Sequence, residues 1–340
     1  MAKNCGRDYR MKVSVLVTTY NHENFIAQAI ESILMQKTDF DFEILIGEDD
    51  SEDQTRTIVK NYKIRHPDRI KIFLNDRKNV IYYNGKPTGK WNFLNLLINA
   101  RGKYIALCEG DDYWIDPFKL QKQVAFLDGH PECAICFHNV RIALEDGKQK
   151  SFNHHLYGQK EIFTLEDLLR GNFIHTCSVL FRRGLFNDFP QWYYECQMGD
   201  WPLHVLNAQH GHIGFINTAM AVYRDHGAGI CSSQHELEVK INSICAARKI
   251  RQSLNDKQKR ILNQAITLWY EQLFINTKNI FEKREFDRAS FWAKKCFSRF
   301  LNHREIPKEM LIHFFLIGYL PRFRELIIKK GRVIKKYLRF

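Results

Sequence analysis

Three carboxylates lie within four residues at Glu109, Asp111 and Asp112. They directly follow residues 103–108, an apolar run that predicts a short buried strand. Carboxylates this close repel one another and resist burial, and a cation among them removes the repulsion. Hard oxygen ligands suit Mg²⁺ or Mn²⁺, and Mg²⁺ usually keeps positions open for water and substrate phosphates. The cluster therefore indicates a divalent-metal site, with a solvated acidic turn as the alternative.

Two further carboxylates are candidate functional residues. Asp49 follows the apolar run 42–46, and Asp200 begins a helical pattern in the segment 197–203. A positioned carboxylate can remove the proton of an attacking hydroxyl. Each aspartate also has a structural alternative, because Asp caps helices and forms Asx turns. For Asp200, a proline two residues later favours a helix start.

The pattern around these residues alternates apolar runs with helical spacing. Strands are predicted at 12–18, 42–46, 70–74, 103–108 and 133–140, and helices at 24–36, 53–65, 91–100 and 117–127. Such alternation indicates an open parallel sheet covered by helices on both faces. Ligands of these sheets bind beyond the carboxyl ends of the strands, where Asp49 and the acidic cluster are both expected.

The second half of the chain follows a different pattern. Residues 141–160 are polar and irregular, and a short helix from Thr164, a strand at 177–181, a helix near Asp200 and paired strands around 213–223 follow. Four helical segments are then predicted at 235–252, 257–282, 285–300 and 307–339. We therefore expect one domain over 1–233 and a helical, basic region over 234–340.

Composition indicates a globular protein with an unevenly distributed charge. The formal net charge of the 340 residues is +13, and residues 231–340 carry 24 Lys and Arg against 10 Asp and Glu. The nine cysteines are scattered and odd in number, as expected for reduced thiols in the cytoplasm. The N-terminus lacks the apolar run of a signal peptide, and the longest apolar run, 314–320, is too short to cross a bilayer. A cytoplasmic protein without a membrane span is expected.

Several motifs occur in an order that resembles a known family. They are the strand ending in Thr18-Thr19-Tyr20-Asn21, the acidic turn Glu48-Asp49-Asp50-Ser51-Glu52-Asp53-Gln54-Thr55, the region of Asn92, the segment 100–105 and the cluster 109–114. Together they resemble the family-2 glycosyltransferases, whose GT-A fold is an α/β, Rossmann-like mixed sheet with helices on both faces. The resemblance implies an inverting, metal-dependent transfer of a sugar from a nucleotide-diphospho-sugar, UDP-linked, to a hydroxyl.

The resemblance also implies roles on the donor side. Thr18, Tyr20 and Asp49 would hold the nucleotide base, and Asn92 would belong to the same nucleotide-sugar site. An aromatic ring can stack on a base, and a carboxylate can accept an N–H of uracil or thymine. Packing of a loop aromatic remains the alternative for Tyr20. Asp53 is interpreted as a helix cap.

For the metal, Mn²⁺ or Mg²⁺, the resemblance implies Asp112 as the direct ligand. Asp111 would contact the ribose or the metal shell. Glu109 stands where the family commonly has Asp, so its role stays open. Arg224 and His226 lie in a segment similar to the late Tyr-Arg-x-His of the family, where Arg224 would clamp a phosphate and His226 would complete the metal shell or contact the diphosphate.

On the acceptor side the resemblance implies that Asp200 is the general base. His175 and Trp201 are candidate acceptor contacts. The implied acceptor is a glycan or a lipid-linked glycan in the synthesis of a cell-surface polysaccharide such as lipopolysaccharide or capsule.

Two other functions fit the sequence less well. A sugar nucleotidyltransferase would carry a glycine-rich phosphate loop after the first strand, but residues 18–24 contain no glycine. A basic nucleic-acid-binding protein is disfavoured by the neutral first two thirds of the chain and by the absence of a binding-module motif.

The basic excess includes a candidate membrane contact at 321–340. Apolar residues recur there at helical spacing among many Lys and Arg, as in helices that lie on an anionic membrane surface. The alternative is a helix that packs on its own domain. We expect this segment to attach the protein to the inner face of the cell membrane.

Overall fold

The computed structural model describes residues 11–144, 148–152, 160–226, 236–283, 285–301, 303 and 306–319. The chain divides into two compact units, with the division between residues 233 and 234.

The first half of the first unit alternates strands with helices, close to the predicted order. Its elements are β1 Val13–Thr19, α1 Ile26–Leu34, β2 Phe42–Glu48, α2 Thr55–Arg65, β3 Ile70–Leu74, a 3-10 turn at Arg77–Asn79, a hairpin of β4 Tyr82–Tyr83 and β5 Lys86–Pro87, α3 Lys90–Asn99 and β6 Tyr104–Leu107.

The second half of this unit adds shorter elements and two long strands. They are β7 Tyr113–Trp114, α4 Lys119–Gly129, β8 Cys133–Leu144, β9 Gln149–Phe152, β10 Ile162–Phe163, α5 Leu165–Leu168, a 3-10 turn at Thr176–Ser178, β11 Leu180–Arg182, α6 Gln191–Tyr194, α7 Asp200–Ala208 and β12 His212–Asp225.

The main sheet is mixed. Its strand order is β10-β12-β8-β11-β6-β1-β2-β3, with β7 paired to β12 and β9 to β8. Strands β6, β1, β2 and β3 are mutually parallel, whereas β11 runs antiparallel to both β6 and β8. The parallel sheet expected from the alternation is therefore one part of a larger mixed sheet, which agrees with the predicted fold class.

Apolar side chains on one face of the parallel strands form the core under the helices. Val13, Val15 and Val17 of β1 pack with Ile44 and Ile46 of β2 and are fully buried. Helix α1 contributes its apolar face to the same cluster. This core fixes the register of β1 against β2, which sets where the two strands end.

Two sequence predictions for the second half are wrong. The paired strands expected around 213–223 are one strand, β12, which pairs in parallel with β8 through irregularities between Ile216 and Ala219 and between Ala219 and Ala221. The polar residues at that bulge break the apolar alternation, so the sequence pattern resembles a turn. The prediction of an irregular segment over 141–160 is wrong for residues 141–144 and 149–152, which belong to β8 and β9.

The second unit is helical where the structure describes it. Its helices are α8 Glu236–Ile250, α9 Asp256–Glu282, α10 Phe286–Phe300 and α11 Lys308–Tyr319. A capping box between Asn255 and Gln258 begins α9. The rest of the predicted helix 307–339, with the candidate membrane segment 321–340, lies outside the described residues. Among the described helices, none combines the length and the apolar character that a bilayer span requires.

Candidate active site

The candidate site lies where three parallel strands end. Thr19 of β1 is paired with Glu48 of β2, and the Asp49 amide donates to the Thr19 carbonyl at 3.0 Å. On the other side of β1, the Gly110 amide donates to the Thr18 carbonyl at 2.9 Å. The register of the sheet thus brings the loops after β1, β2 and β6 together at one edge.

Asp49 and Tyr20 meet at Arg77, which follows β3. The Arg77 Nη1 atom lies 3.1 Å from Asp49 Oδ2, and the guanidinium carbon lies 4.2 Å from the centroid of the Tyr20 ring. Burial raises the pKa of Asp49 above its usual value, and Arg77 partly offsets this. The sequence analysis missed Arg77, because nothing in its local pattern distinguishes it from other surface arginines.

The structure gives Asn92 a contact with backbone. Its Nδ2 donates to the Gly47 carbonyl at 2.7 Å, and its Oδ1 accepts from Asn75 at 2.9 Å. A Cβ at position 47 would lie 1.7 Å from Asn92 Oδ1, so only glycine lets the amide approach β2. Asn92 therefore supports the strand end that carries Asp49, and both ends of its amide are engaged.

Glu109, Asp111 and Asp112 form one cluster. Each offers a carboxylate oxygen, and these oxygens lie within 4.8 Å of one another. Asp112 is 1 % exposed; its Oδ1 accepts from the Arg224 amide at 2.9 Å, while its Oδ2 has no hydrogen-bond partner among the residues that the structure describes. Burial, reinforced by the neighbouring carboxylates, raises the pKa of Glu109 and of Asp112 well above the usual range. Hard oxygen donors with an orphaned buried atom fit a divalent cation.

Two histidines flank Asp111. His226 Nε2 donates to Asp111 Oδ2 at 3.1 Å, and His22 Nε2 lies 3.7 Å from the same oxygen. Burial alone would raise the pKa of Asp111, but these partners lower it below its usual value. The predicted metal residue His226 thus contacts Asp111. The sequence analysis did not identify His22 as a site residue. In the structure its Nδ1 is buried and has no hydrogen-bond partner among the described residues.

Arg224 ties β12 to the acidic loop. Its guanidinium donates to the Asp111 carbonyl and to Gln28 Oε1. The guanidinium carbon also lies 4.4 Å from the centroid of the Tyr113 ring and 5.1 Å from that of Phe25. Arg224 therefore orders the loop, and any contact with a phosphate would have to compete with these bonds.

Asp200 is the first residue of α7 and lies near the acidic loop. Asn172 Nδ2 donates to Asp200 Oδ2 at 2.8 Å. Burial raises the pKa of Asp200, and bonds from backbone amides and Asn172 lower it in part. The charge of Asp200 also raises the pKa of Glu109. The N-cap of α7 is Gly199 rather than Asp200, so the carboxylate is not committed to the predicted alternative of an N-cap.

The two candidate acceptor residues have different surroundings. His175 is half-buried, and its ring centroid lies 5.3 Å from that of Tyr223. Trp201 is 1 % exposed, and its Nε1 donates to the Leu168 carbonyl at 3.1 Å. An indole enclosed in this way packs the domain, so we do not assign it a direct acceptor contact.

Several known proteins are similar to this chain in sequence. A family model described as "Glycosyl transferase family 2" matches residues 14–189, just over half of the chain. An uncharacterised protein of Mycobacterium tuberculosis is 39 % identical over 224 residues, covering 66 % of this chain and 61 % of that protein. The GalNAc(5)-diNAcBac-PP-undecaprenol beta-1,3-glucosyltransferase of Campylobacter jejuni is 28 % identical over 216 residues, covering 63 % of this chain and 64 % of that enzyme. The chain thus spans under two thirds of the length of these relatives.

One solved structure has a fold similar to that of this chain. The crystal structure of S. aureus TarS 1–349 in complex with UDP-GlcNAc matches with a TM-score of 0.62 at 19 % identity, covering 94 % of this chain and 92 % of that one. At this identity the match concerns the fold alone, and it supports the predicted GT-A class.

Proposed function

The chain belongs to glycosyl transferase family 2, and on that premise we propose that it transfers a sugar from a nucleotide-diphospho-sugar to a hydroxyl of a glycan or lipid-linked glycan in cell-surface polysaccharide synthesis. Membership confirms the resemblance drawn from the motifs and sets aside the nucleotidyltransferase and nucleic-acid-binding alternatives. One observation carries the proposal. Thr19 Oγ1, His22 Nδ1, Asp49 Oδ1 and Asp112 Oδ2 are buried without hydrogen-bond partners in the described part of the chain. All four stand at one edge of the sheet, as polar atoms do where a ligand supplies the missing bonds.

The donor in this proposal is UDP-linked. Thr18, Tyr20 and Asp49 would hold the base, and the Asp49 Oδ1 atom that lacks a partner can accept an N–H of uracil. Arg77 fixes the other oxygen of Asp49. The related fold of TarS was solved with UDP-GlcNAc, which supports the same choice of nucleotide.

We propose that Asp112 and Asp111, with Glu109 beside them, hold Mn²⁺ or Mg²⁺. When bound, such an ion neutralises charge on the departing nucleoside diphosphate. The bond from His226 orients Asp111, and the Arg224 amide orients Asp112. The protein's own part is to keep these oxygens fixed and mostly out of water.

Asp200 is the proposed general base. Its raised pKa makes the carboxylate a stronger base than an exposed aspartate. The acceptor oxygen forms a bond to the anomeric carbon as the bond from that carbon to the diphosphate oxygen breaks, and the hydroxyl proton passes to Asp200. Because a single direct displacement involves no enzyme nucleophile, the product is expected to have the inverted anomeric configuration.

The test is a screen of nucleotide-sugars with Mn²⁺, followed by Asp200→Asn and the exposed control Asp188→Asn. We expect Asp200→Asn to bind Mn²⁺ and UDP as the parent protein does and to lose transfer by at least about 100-fold, the usual scale for general-base catalysis. Nuclear magnetic resonance of the product's anomeric proton tests inversion. Transfer at the parental rate by Asp200→Asn would remove it from the mechanism, and a parent protein that turns over no nucleotide-sugar would contradict the proposal itself.

We also propose that residues 321–340 attach the protein to the anionic inner face of the cell membrane, from their sequence alone. Deletion of this segment should reduce sedimentation with vesicles that contain phosphatidylglycerol. Unchanged sedimentation, or equal sedimentation with neutral vesicles, would contradict the proposal.

A further inference from the structure

Lys90, the first residue of α3, is buried beside the segment that leads to Asp200. Only 3 % of Lys90 is exposed. Its ammonium donates to the Tyr193 carbonyl at 2.8 Å and to the Cys196 carbonyl, and it lies 5.3 Å from the centroid of the Tyr193 ring. Burial lowers the pKa of Lys90 to about 8. A buried ammonium is costly unless its bonds are kept, so the two carbonyls and Lys90 hold one another in place.

The Tyr193 carbonyl belongs to α6 and also accepts from the Cys196 amide at 3.3 Å, whereas the Cys196 carbonyl lies two residues beyond the end of the helix. Because Lys90 donates to both carbonyls, it fixes the path of the chain just after α6. The backbone then reaches Asp200 within four residues of Cys196. At Gly199 a Cβ would lie 3.8 Å from Lys90 Cγ and 3.3 Å from the Tyr193 hydroxyl, so the lysine stem also borders the residue before Asp200.

The same turn of α3 is bound to the donor side. Two residues after Lys90, Asn92 donates to the Gly47 carbonyl in β2 at 2.7 Å, and β2 leads to Asp49. One helical turn therefore contacts both the strand that leads to Asp49, the proposed nucleotide-binding residue, and the segment that leads to Asp200, the proposed general base. A bond lost at either side would change the distance between them.

We infer that Lys90 is a positioning residue, which fixes Asp200 relative to the donor through the carbonyls of Tyr193 and Cys196. The inference rests on the proposed role of Asp200 as general base. Lys90 touches neither substrate nor metal in this scheme. Its loss should therefore reduce turnover and leave donor binding intact.

The experiment compares Lys90→Met, which keeps the length and removes the donor, with the exposed control Lys86→Met. We expect kcat to fall about 10- to 100-fold, as a base displaced by about 1 Å would cause, with KM for the donor and affinity for Mn²⁺–UDP unchanged within twofold. Hydrogen exchange of backbone amides in 194–200 should become faster in Lys90→Met and not in the control. Should Lys90→Met fail to fold, Lys90→Gln gives the same comparison with one donor kept.

A double-mutant cycle separates positioning from general destabilisation. In the Asp200→Asn background, Lys90→Met should reduce the residual rate no further, because a residue that acts through Asp200 has nothing left to position. An equal fall in both backgrounds, or a loss of donor affinity, would overturn the inference. Unchanged exchange at 194–200 would also overturn it. If that exchange rises but the parent protein transfers no sugar, the proposed function fails while the Lys90 contact stands.

Discussion

Replacing Asp112 by asparagine should have opposite effects on the protein without metal and on its complex with metal. Asparagine has the same shape and can still accept the bond from the Arg224 amide with its oxygen. It removes one of three carboxylates whose oxygens lie within 4.8 Å of one another. The metal-free protein should therefore become more stable, while the response to Mn²⁺ and UDP should disappear.

The expected gain in stability of the metal-free variant follows from the distance between the carboxylates. Two full charges 4.8 Å apart repel by about 3.5 kcal/mol at an effective dielectric constant of about 20. The raised pKa of Glu109 and of Asp112 means that the folded protein retains protons there, so only part of this repulsion is present. We expect the free energy of unfolding to rise by about 1–3 kcal/mol, or about 2–10 °C in Tm for a domain of this size.

The pH dependence has a definite sign. Because the folded state binds protons more tightly than the unfolded state at Glu109 and Asp112, the contribution of these two carboxyls to the stability of the metal-free parent falls as pH rises above about 4, the usual carboxyl pKa. Asp112→Asn removes part of that slope. The difference in Tm between variant and parent should therefore grow from pH 4 to pH 7.

Thermal melts of both proteins, with and without Mn²⁺ and UDP, provide the assay. Ligand at about 100 times its Kd should stabilise the parent by about 2.7 kcal/mol and the variant by much less, since even the loss of a residue that only supports a metal ligand costs about 10- to 100-fold in affinity. Asp68→Asn, an exposed aspartate, is the control. A metal-free Asp112→Asn that melts below the parent, or that keeps the full response to Mn²⁺ and UDP, would refute the reasoning.

Three further predictions concern other parts of the first unit. Gly110→Ala would place a Cβ 2.6 Å from a threonine hydroxyl and 2.8 Å from a histidine nitrogen; it should lower the free energy of unfolding by about 1–3 kcal/mol in denaturant titrations, whereas Gly129→Ala, with open space around it, should not. Arg77→Met removes an ion pair and a ring contact at the proposed nucleotide end and should weaken UDP binding about tenfold by calorimetry; Arg65→Met, which also loses a ring contact at 4.1 Å but at the end of α2, should leave UDP affinity unchanged. Asp128→Asn removes ion pairs to two lysines at 2.7 and 2.8 Å, which hold the pKa of this carboxyl well below its usual value. Its cost of about 1 kcal/mol at pH 7 should decrease in melts as pH falls below about 4, because the unfolded state then binds a proton that the folded parent still excludes; a cost at pH 2 as large as that at pH 7 would contradict it.

The location of the proposed donor side could be predicted from sequence because of how parallel strands end. Thr18 lies at the end of a buried strand, Asp49 and Asp112 each follow one within a few residues, and the alternation with helices implies that those ends meet. The structure brings these loops together. The sequence does not predict which side chains pair there. Arg77 contacts Asp49 although 28 residues separate them in the chain, and no local sequence pattern predicts that contact.

The second half of the sheet was harder for a related reason. Strand β12 pairs with β8 from His212 to Asp225, and bulges interrupt the register within that pairing. In the sequence the same residues look like a turn between two short strands. A local irregularity thus hid a long parallel pairing, and with it the route by which Arg224 reaches Asp111.

The proposed acceptor side depends on contacts between distant segments. Asp200 is held by Asn172, 28 residues away, and the segment before it is held by Lys90, 106 residues from Cys196. The proposed donor residues instead lie at strand ends that the core fixes. On the proposed assignments, we expect changes in the acceptor loops to alter the acceptor without disturbing the nucleotide site, provided that the turn carrying Lys90 and Asn92 keeps both of its contacts. We expect Lys90 to tolerate substitution less than its exposed neighbour Trp91, although neither is expected to touch a substrate.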